Sequence, residues 1–148
     1  IIKELRQDDA NVANKDGMDI SLCRLNLKTL ELEWAGANNA LNLIRNGVFE
    51  EIKADKQPIG YHAEMKPFTN HKIQLQKGDC IYIYSDGYAD QFGGPKGKKF
   101  KYKQLEELII QHHQLTANEQ KQIFKRCFIE WKGALEQVDD VCLFGVRV

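Results

Sequence analysis

The sequence predicts an α+β domain: a layered sandwich of antiparallel strands, closed by two helices and one last strand. Three observations carry the prediction. Strand-like alternation dominates the first half, two helical stripes follow, and an apolar run ends the chain, so strands and helices are segregated rather than interleaved. Asn46-Gly47 sits between two apolar runs and marks a hairpin, because both residues tolerate positive φ. Cys80 to Tyr84 is apolar in both alternation phases, the pattern of a strand buried on both faces.

Taken in order, Ile1 to Gln7 reads as a short helical fragment and the polar stretch up to Lys15 as a loop. Met18 to Leu25 alternates, with Met18, Ile20 and Leu22 on one face. Asn26 to Lys28 is a turn, and Leu30, Leu32 and Trp34 then alternate with Glu31 and Glu33. Ala35 to Ala40 reads as a small-residue loop. Leu41 to Arg45 and Val48 to Ile52 are the arms of the Asn46-Gly47 hairpin. Pro58-Ile59-Gly60 punctuates a further loop. Glu64 to Phe68 and Lys72 to Leu75 are short strand candidates, and Lys77-Gly78-Asp79 turns the chain into Cys80.

The segment from Phe92 to Phe100 is rich in Gly and Lys, has no periodicity and reads as an exposed loop. Tyr102, Leu105, Leu108, Ile109 and His112 follow helical spacing. Thr116 and Glu119 form a capping-box pattern, opening a helix with Phe124, Cys127, Phe128, Trp131 and Leu135 on one stripe. Gly133 weakens its last turn. Val141 to Val148 then reads as a buried strand.

Composition excludes several functions. Lys plus Arg total 21 and Asp plus Glu total 21, so no net field attracts nucleic acid or an anionic membrane. No run is long enough for a membrane span, and no signal-peptide pattern opens the chain. Cys23, Cys80, Cys127 and Cys142 form no C-x-x-C pair, and each lies in an apolar segment. Small core thiols in a reducing cytoplasm fit this better than disulfides or a zinc site. The chain starts at Ile1, which suggests a piece of a longer protein.

The chemistry centres on Tyr84-Ser85-Asp86-Gly87-Tyr88-Ala89-Asp90. A carboxylate emerging from a buried strand is costly without a partner. If the strand before Asp86 and the strand after Asp139 are antiparallel neighbours, the two acids meet at one sheet edge. Two close carboxylates repel unless one is protonated or a cation lies between them. Oxygen-only donors suit Mg²⁺ or Mn²⁺. Alternatively, Asp86 starts a turn and Asp139 caps a strand, with no metal. The lysines at 96, 98, 99, 101 and 103 either attract a phosphoprotein or form a solvated loop.

Together with Gln137-Val138-Asp139-Asp140-Val141, this stretch resembles the metal-dependent serine/threonine phosphatases of the PPM superfamily, and most of all their bacterial SpoIIE-type branch. The resemblance extends through Asp16-Gly17-Met18-Asp19, Ala35-Gly36-Ala37-Asn38-Asn39, Pro58-Ile59-Gly60, Gly78-Asp79, Asp90-Gln91-Phe92-Gly93-Gly94 and Lys98-Lys99-Phe100. It implies an αββα sandwich with a Mn²⁺/Mg²⁺ pair at one edge. It implies metal ligation by Asp86 and Asp139, with Asp90 at the position that serves a third metal in some members. Ala37 stands about where a further third-metal acid is expected.

The family's bridging aspartate belongs to an early D-x-x-G-H-G motif, and no Gly-His dipeptide occurs here. Residues 1–148 therefore read as one domain, a partial αββα sandwich that is the C-terminal portion of a SpoIIE/PPM-type phosphatase domain. No catalytic side chain is assigned within it. The implied parent is a cytoplasmic signalling phosphatase acting on phosphoserine in a partner-switching protein such as an anti-anti-sigma factor. The isolated chain is expected to be inactive and to self-associate through an exposed sheet edge. A pseudo-phosphatase or interaction module is the other reading.

Overall fold

The computed structural model describes residues 17–60 and 66–148. The helical fragment and loop expected before residue 16, and part of the strand candidate at 64–68, lie outside the described residues. The described chain is mixed α and β with antiparallel sheets. It divides into two compact units, one from the described residues up to Asn42 and in Glu51–Lys77, the other from Leu43–Glu50 and Gly78–Arg147.

In the first unit, β1 (Gly17–Met18) pairs with β6 (Ile59–Gly60), so Pro58-Ile59-Gly60 enters a strand rather than only punctuating a loop. The strands β2 (Ile20–Asn26), β3 (Glu31–Ala37) and β7 (His71–Gln74) form an antiparallel sheet in the order β2-β3-β7. Asn26 builds the turn between the first two. Its Oδ1 accepts from the N–H of Lys28 at 2.9 Å and of Thr29 at 3.2 Å.

Pairing sets Cys23 opposite Trp34 and Leu25 opposite Leu32. Leu32 and Trp34 are fully buried, so the Cys23 and Leu25 side of β2 is the covered one. Of the face expected from alternation, Met18 and Ile20 are half-buried, but Leu22 is 64% exposed. The cross-strand partners decide which phase is buried, and alternation alone does not.

Two further expectations change. Ala35 to Ala37 belong to β3, and only the following residues form the loop. The small residues there allow close packing: a Cβ on Gly36 would stand 2.6 Å from Asn39 O and 2.9 Å from Ala54 Cβ. Lys66 to Phe68 form no strand. The Gln57 amide bonds both backbone groups of Lys66, at 2.6 and 3.0 Å, and Asp55 accepts from the Thr69 N–H at 2.7 Å. Side chains thus satisfy backbone groups that a strand would give to a ladder.

The second sheet contains β4 (Leu41–Arg45), β5 (Val48–Ile52), β8 (Cys80–Tyr84) and β11 (Leu143–Arg147), in the order β11-β8-β4-β5. Asn46 and Gly47 have φ of 51° and 76°, the left-handed pair expected of a tight hairpin turn. Cys80, Ile81 and Tyr82 of the interior strand β8 are buried. The last strand starts at Leu143 rather than Val141 and is partly exposed, with Phe144 56% open. Among the described residues it has one neighbour in the sheet, β8, which is why it is not the buried strand its composition suggests.

Between the last two sheet strands the chain forms α1 (Gly87–Asp90), β9 (Phe92–Gly93), β10 (Lys98–Lys99), α2 (Tyr102–His112) and α3 (Ala117–Lys132). The expected irregular loop at Phe92 to Phe100 is instead a small hairpin, β9 against β10, with Phe100 buried. Thr116 and Glu119 make the full capping box at the start of α3. Gly133, at φ 55°, ends that helix, and Leu135 lies beyond the apolar stripe, largely exposed.

The core of this unit packs Ile44, Cys80 and Tyr82 of the sheet against Leu105, Ile109 and Phe124 of the helices. Burial of each large apolar side chain contributes about 1.5–3 kcal/mol. Tyr88, from α1, sits 5.1 Å from both Phe100 and Phe128, and Phe100 meets Trp131 edge-on at 5.2 Å. The Tyr82 hydroxyl donates to Gln120 Oε1 at 2.8 Å, and burial pushes its pKa up to about 12. The cysteines are free thiols. Cys80 is buried, but Cys142 is exposed, unlike the core role expected of it, because it lies in the segment leading into the edge strand.

Candidate metal centre

Asp86 stands at the end of β8 because the ladder with β11 is carried past its last paired residues. Ser85 N–H donates to Cys142 O at 3.0 Å, and Cys142 N–H donates to Ser85 Oγ at 2.9 Å. The Ser85 hydroxyl in turn donates to Asp140 O at 2.9 Å. One serine thus ties the end of β8 to the approach of β11. The register between the strands, Leu143 opposite Tyr84 through Arg147 opposite Cys80, brings the Asp86 end and the Asp139 end together.

Gly87 makes that approach possible. A Cβ there would lie 2.4 Å from Asp140 O and 3.3 Å from the Asp139 carbonyl carbon. Asp86 is the N-terminal cap residue of α1 by position, but its side chain makes no capping hydrogen bond. Its carboxylate is not consumed by its own helix. The Asp139 carboxylate accepts from the Asp140 N–H at 2.7 Å.

Asp90 is one turn further along. Its Oδ2 lies 2.8 Å from Lys99 Nζ, an ion pair with both groups partly exposed. The lysine already fills one coordination direction of that carboxylate. Asp19 belongs to the other unit, where its carboxylate accepts from Asn38 Nδ2 at 2.7 Å.

Gln91 positions the second acid and is fully buried. Its Nε2 donates to Glu136 O at 2.9 Å, and its Oε1 accepts from Val138 N–H at 3.3 Å. The segment that delivers Asp139 is thereby anchored to the end of α1. Sequence reasoning assigned no role to Ser85, Gly87 or Gln91. The signal was present in part, since all three flank the acids in the same short stretch.

The donors fit Mn²⁺ or Mg²⁺ in kind, being hard carboxylate oxygens. They fall short in number: among the described residues no group of three His, Cys, Asp or Glu side chains is placed to hold an ion. No described helix is long and apolar enough to cross a membrane.

The mixed α and β fold with antiparallel sheets and late helices is that of the PP2C/PPM phosphatase domains. The chain belongs to the Stage II sporulation protein E (SpoIIE) family, whose family model matches residues 1–148. Among solved structures it is similar to the SiaA-PP2C domain of Pseudomonas aeruginosa, with 25% identity and a TM-score of 0.84 over 99% of this chain and 57% of that one. It also shares the fold of the SpoIIE phosphatase domain of Bacillus subtilis (Mn presoaked), with 17% identity, TM-score 0.67, and 100% and 62% of the two chains covered. PppA, a key regulatory component of T6SS in Pseudomonas aeruginosa, gives 15% identity and TM-score 0.62 over 98% and 62%. The chain spans less than two thirds of each of these. Comparison with curated protein sequences finds no match.

Proposed function

We propose that this chain is the later portion of a protein serine/threonine phosphatase domain, in which Asp86 and Asp139 hold Mn²⁺ or Mg²⁺ for hydrolysis of phosphoserine. The observation that supports this most directly is the approach of Asp140 to Gly87, which sets the two acid-bearing segments side by side. Bound metal at such a site supplies positive charge to phosphoryl oxygens and lowers the pKa of a water. The chain's own residues have simpler tasks. Ser85, Gly87 and Gln91 hold the acids at one edge, and Lys99 orients Asp90.

The remaining acid of a dinuclear site is assigned to a portion of the domain that this chain does not include. The sequence lacks the early motif that carries it, and the chain matches 57% of the SiaA domain. The parent is read as a cytoplasmic signalling regulator. Its substrate is read as a phosphoserine protein of a partner-switching pathway, such as an anti-anti-sigma factor.

The test is Mn²⁺-dependent hydrolysis of p-nitrophenyl phosphate and of a phosphoserine peptide. This chain is compared with a longer chain that carries the early motif, with Mn²⁺ binding followed by calorimetry in parallel. The short chain is expected to turn over little and the longer one robustly. Robust turnover by the short chain would overturn the division of the site. The interaction-module reading is favoured by one observation, the engagement of Asp90 by Lys99. It would be established by a longer chain that binds no Mn²⁺ and hydrolyses nothing.

Self-association is assigned to the face beside β11. Phe144 and Ile129 are exposed there, over a cleft of about 710 Å³ shared by α3 and the last strand. An edge strand next to uncovered apolar side chains is a pairing surface.

A further inference from the structure

We propose that the hairpin of β9 and β10, together with the start of α2, forms a docking cleft for an acidic stretch of polypeptide flanking the phosphoserine of the substrate. This rests on the phosphoprotein reading above. Lys96, Lys98, Lys99 and Lys101 all line one concave site of about 270 Å³, with Gly93 and Trp131 among the other lining residues. Among the described residues no carboxylate lines it, and the first turn of α2 contains no acid to neutralise the lysines. Lys99 pairs with Asp90, whereas Lys96, Lys98 and Lys101 form no ion pair with the described residues. Three of the four lysines are thus gathered without a described counter-charge; they repel one another, and an acidic ligand relieves that repulsion.

The cleft is built rather than loose. Gly94 N–H donates to Trp131 O at 2.8 Å, and Phe100 N–H donates to Gln91 O at 2.9 Å. A Cβ on Gly93 would collide with the Trp131 backbone carbonyl, and one on Gly94 would stand 2.7 Å from the Trp131 ring. The hairpin therefore lies flat on Trp131, whose indole N–H is itself bonded to Gln91 O at 3.0 Å.

The Lys101 backbone N–H donates to Ala89 O at 2.6 Å, and the residue's φ is 75°, in the region that favours glycine. Lys101 is thereby held at the cap position of α2, beside the other lysines of the cleft.

The location suits substrate recognition. The Lys99–Asp90 pair joins the cleft to α1, four residues beyond Asp86. Bound acidic residues would hold the neighbouring phosphoserine near the acid-bearing edge. A nucleic acid fits less well, because the chain as a whole carries no net positive charge to hold a polyanion.

The experiment measures anisotropy of a labelled serine peptide flanked by Asp and Glu, with this 148-residue chain. A matched Asn/Gln peptide and a single-stranded oligonucleotide are the comparison probes. The acidic peptide is expected to bind more tightly than both, and more weakly as salt rises. The variant Lys96→Gln/Lys98→Gln/Lys101→Gly should weaken it about tenfold, the scale of a few exposed charge contacts. Glycine suits the Lys101 backbone, and Lys98→Arg should retain binding, which separates charge loss from unfolding. Unchanged affinity in the triple variant, or an oligonucleotide bound as tightly as the peptide, would overturn the proposal. Peptide binding without hydrolysis by the longer chain would instead refute the phosphatase reading and leave the cleft standing. Hydrolysis with an unchanged KM in the triple variant would do the reverse.

Discussion

Gly87 and Asp140 are packed so closely that a single added methyl group on Gly87 would lie 2.4 Å from the Asp140 carbonyl oxygen. This contact places the residue after Asp86 against the residue after Asp139. Gly87→Ala is therefore expected to push the approach of β11 away from β8. Overpacking of this kind costs about 1–3 kcal/mol. Urea denaturation of the chain gives the stability loss, and calorimetry on the longer domain gives weaker Mn²⁺ binding. A variant of unchanged stability would show that the strands separate without cost.

Asp86→Asn and Asp139→Asn keep shape and remove charge. In the longer domain each is expected to reduce Mn²⁺-dependent phosphatase activity by roughly two orders of magnitude or more, the scale for losing one electrostatic group at a reacting centre. Melting temperature without metal should not fall, because like-charge repulsion is relieved. Activity that survives either substitution would remove that residue from the metal site.

The Arg45–Asp79 pair fixes the entry to β8. Arg45 Nη2 lies 2.6 Å from Asp79 Oδ2, and the aspartate side chain is only 3% exposed. Arg45→Met removes the cation paired with a buried carboxylate, and breaking such a pair costs about 3–5 kcal/mol, toward the lower end here because the arginine is partly open to solvent. Replacing both residues by Met and Leu should recover much of the loss. Chemical denaturation of the single and double variants measures the difference.

The capping box of α3 imposes a pH dependence. Hydrogen bonds from the Thr116 hydroxyl and backbone N–H hold the Glu119 carboxyl below its ordinary pKa. A depressed folded pKa adds stability that is complete above the unfolded value of 4.5 and fades as pH falls through the folded one. Glu119→Gln should flatten the acid limb of the stability profile. Thr116→Ala should cost about 1 kcal/mol at neutral pH. Thermal melts from pH 7 downward test both.

The face beside β11 is apolar at Phe144 and carries cations at Lys121 and Lys125 along the same cleft. Two copies meeting there bring like charges together. Self-association should therefore strengthen as salt screens the lysines, and Phe144→Ser should weaken it. Light scattering at low and high salt decides. A monomer at every salt concentration would remove this surface from consideration.

Much of this arrangement was legible in the chain. The Asn46-Gly47 turn, the capping box at Thr116 and the buried strand at Cys80–Tyr84 each depend on residues adjacent in sequence, so local chemistry suffices. The face of β2 was not legible. Leu22 is as apolar as Leu25, and only the pairing with Leu32 and Trp34 selects the covered side. The Phe92–Phe100 hairpin was missed for a similar reason. Its order comes from contact with Trp131, far along the chain, and not from any periodicity.

The family to which the chain belongs could be read from sequence because its motifs are short and lie in a set order. Sequence placed Asp86 and Asp139 together only on the condition that their strands are neighbours. Tertiary structure decided that condition through the β8–β11 register, the Ser85 bonds and the space left by Gly87. It also decided that Asp90 is paired with Lys99. The physical reason is range. Turn, cap and burial preferences act over a few residues, whereas the neighbours of a charge are set by strand pairing between segments some fifty residues apart, as with Ser85 and Asp140.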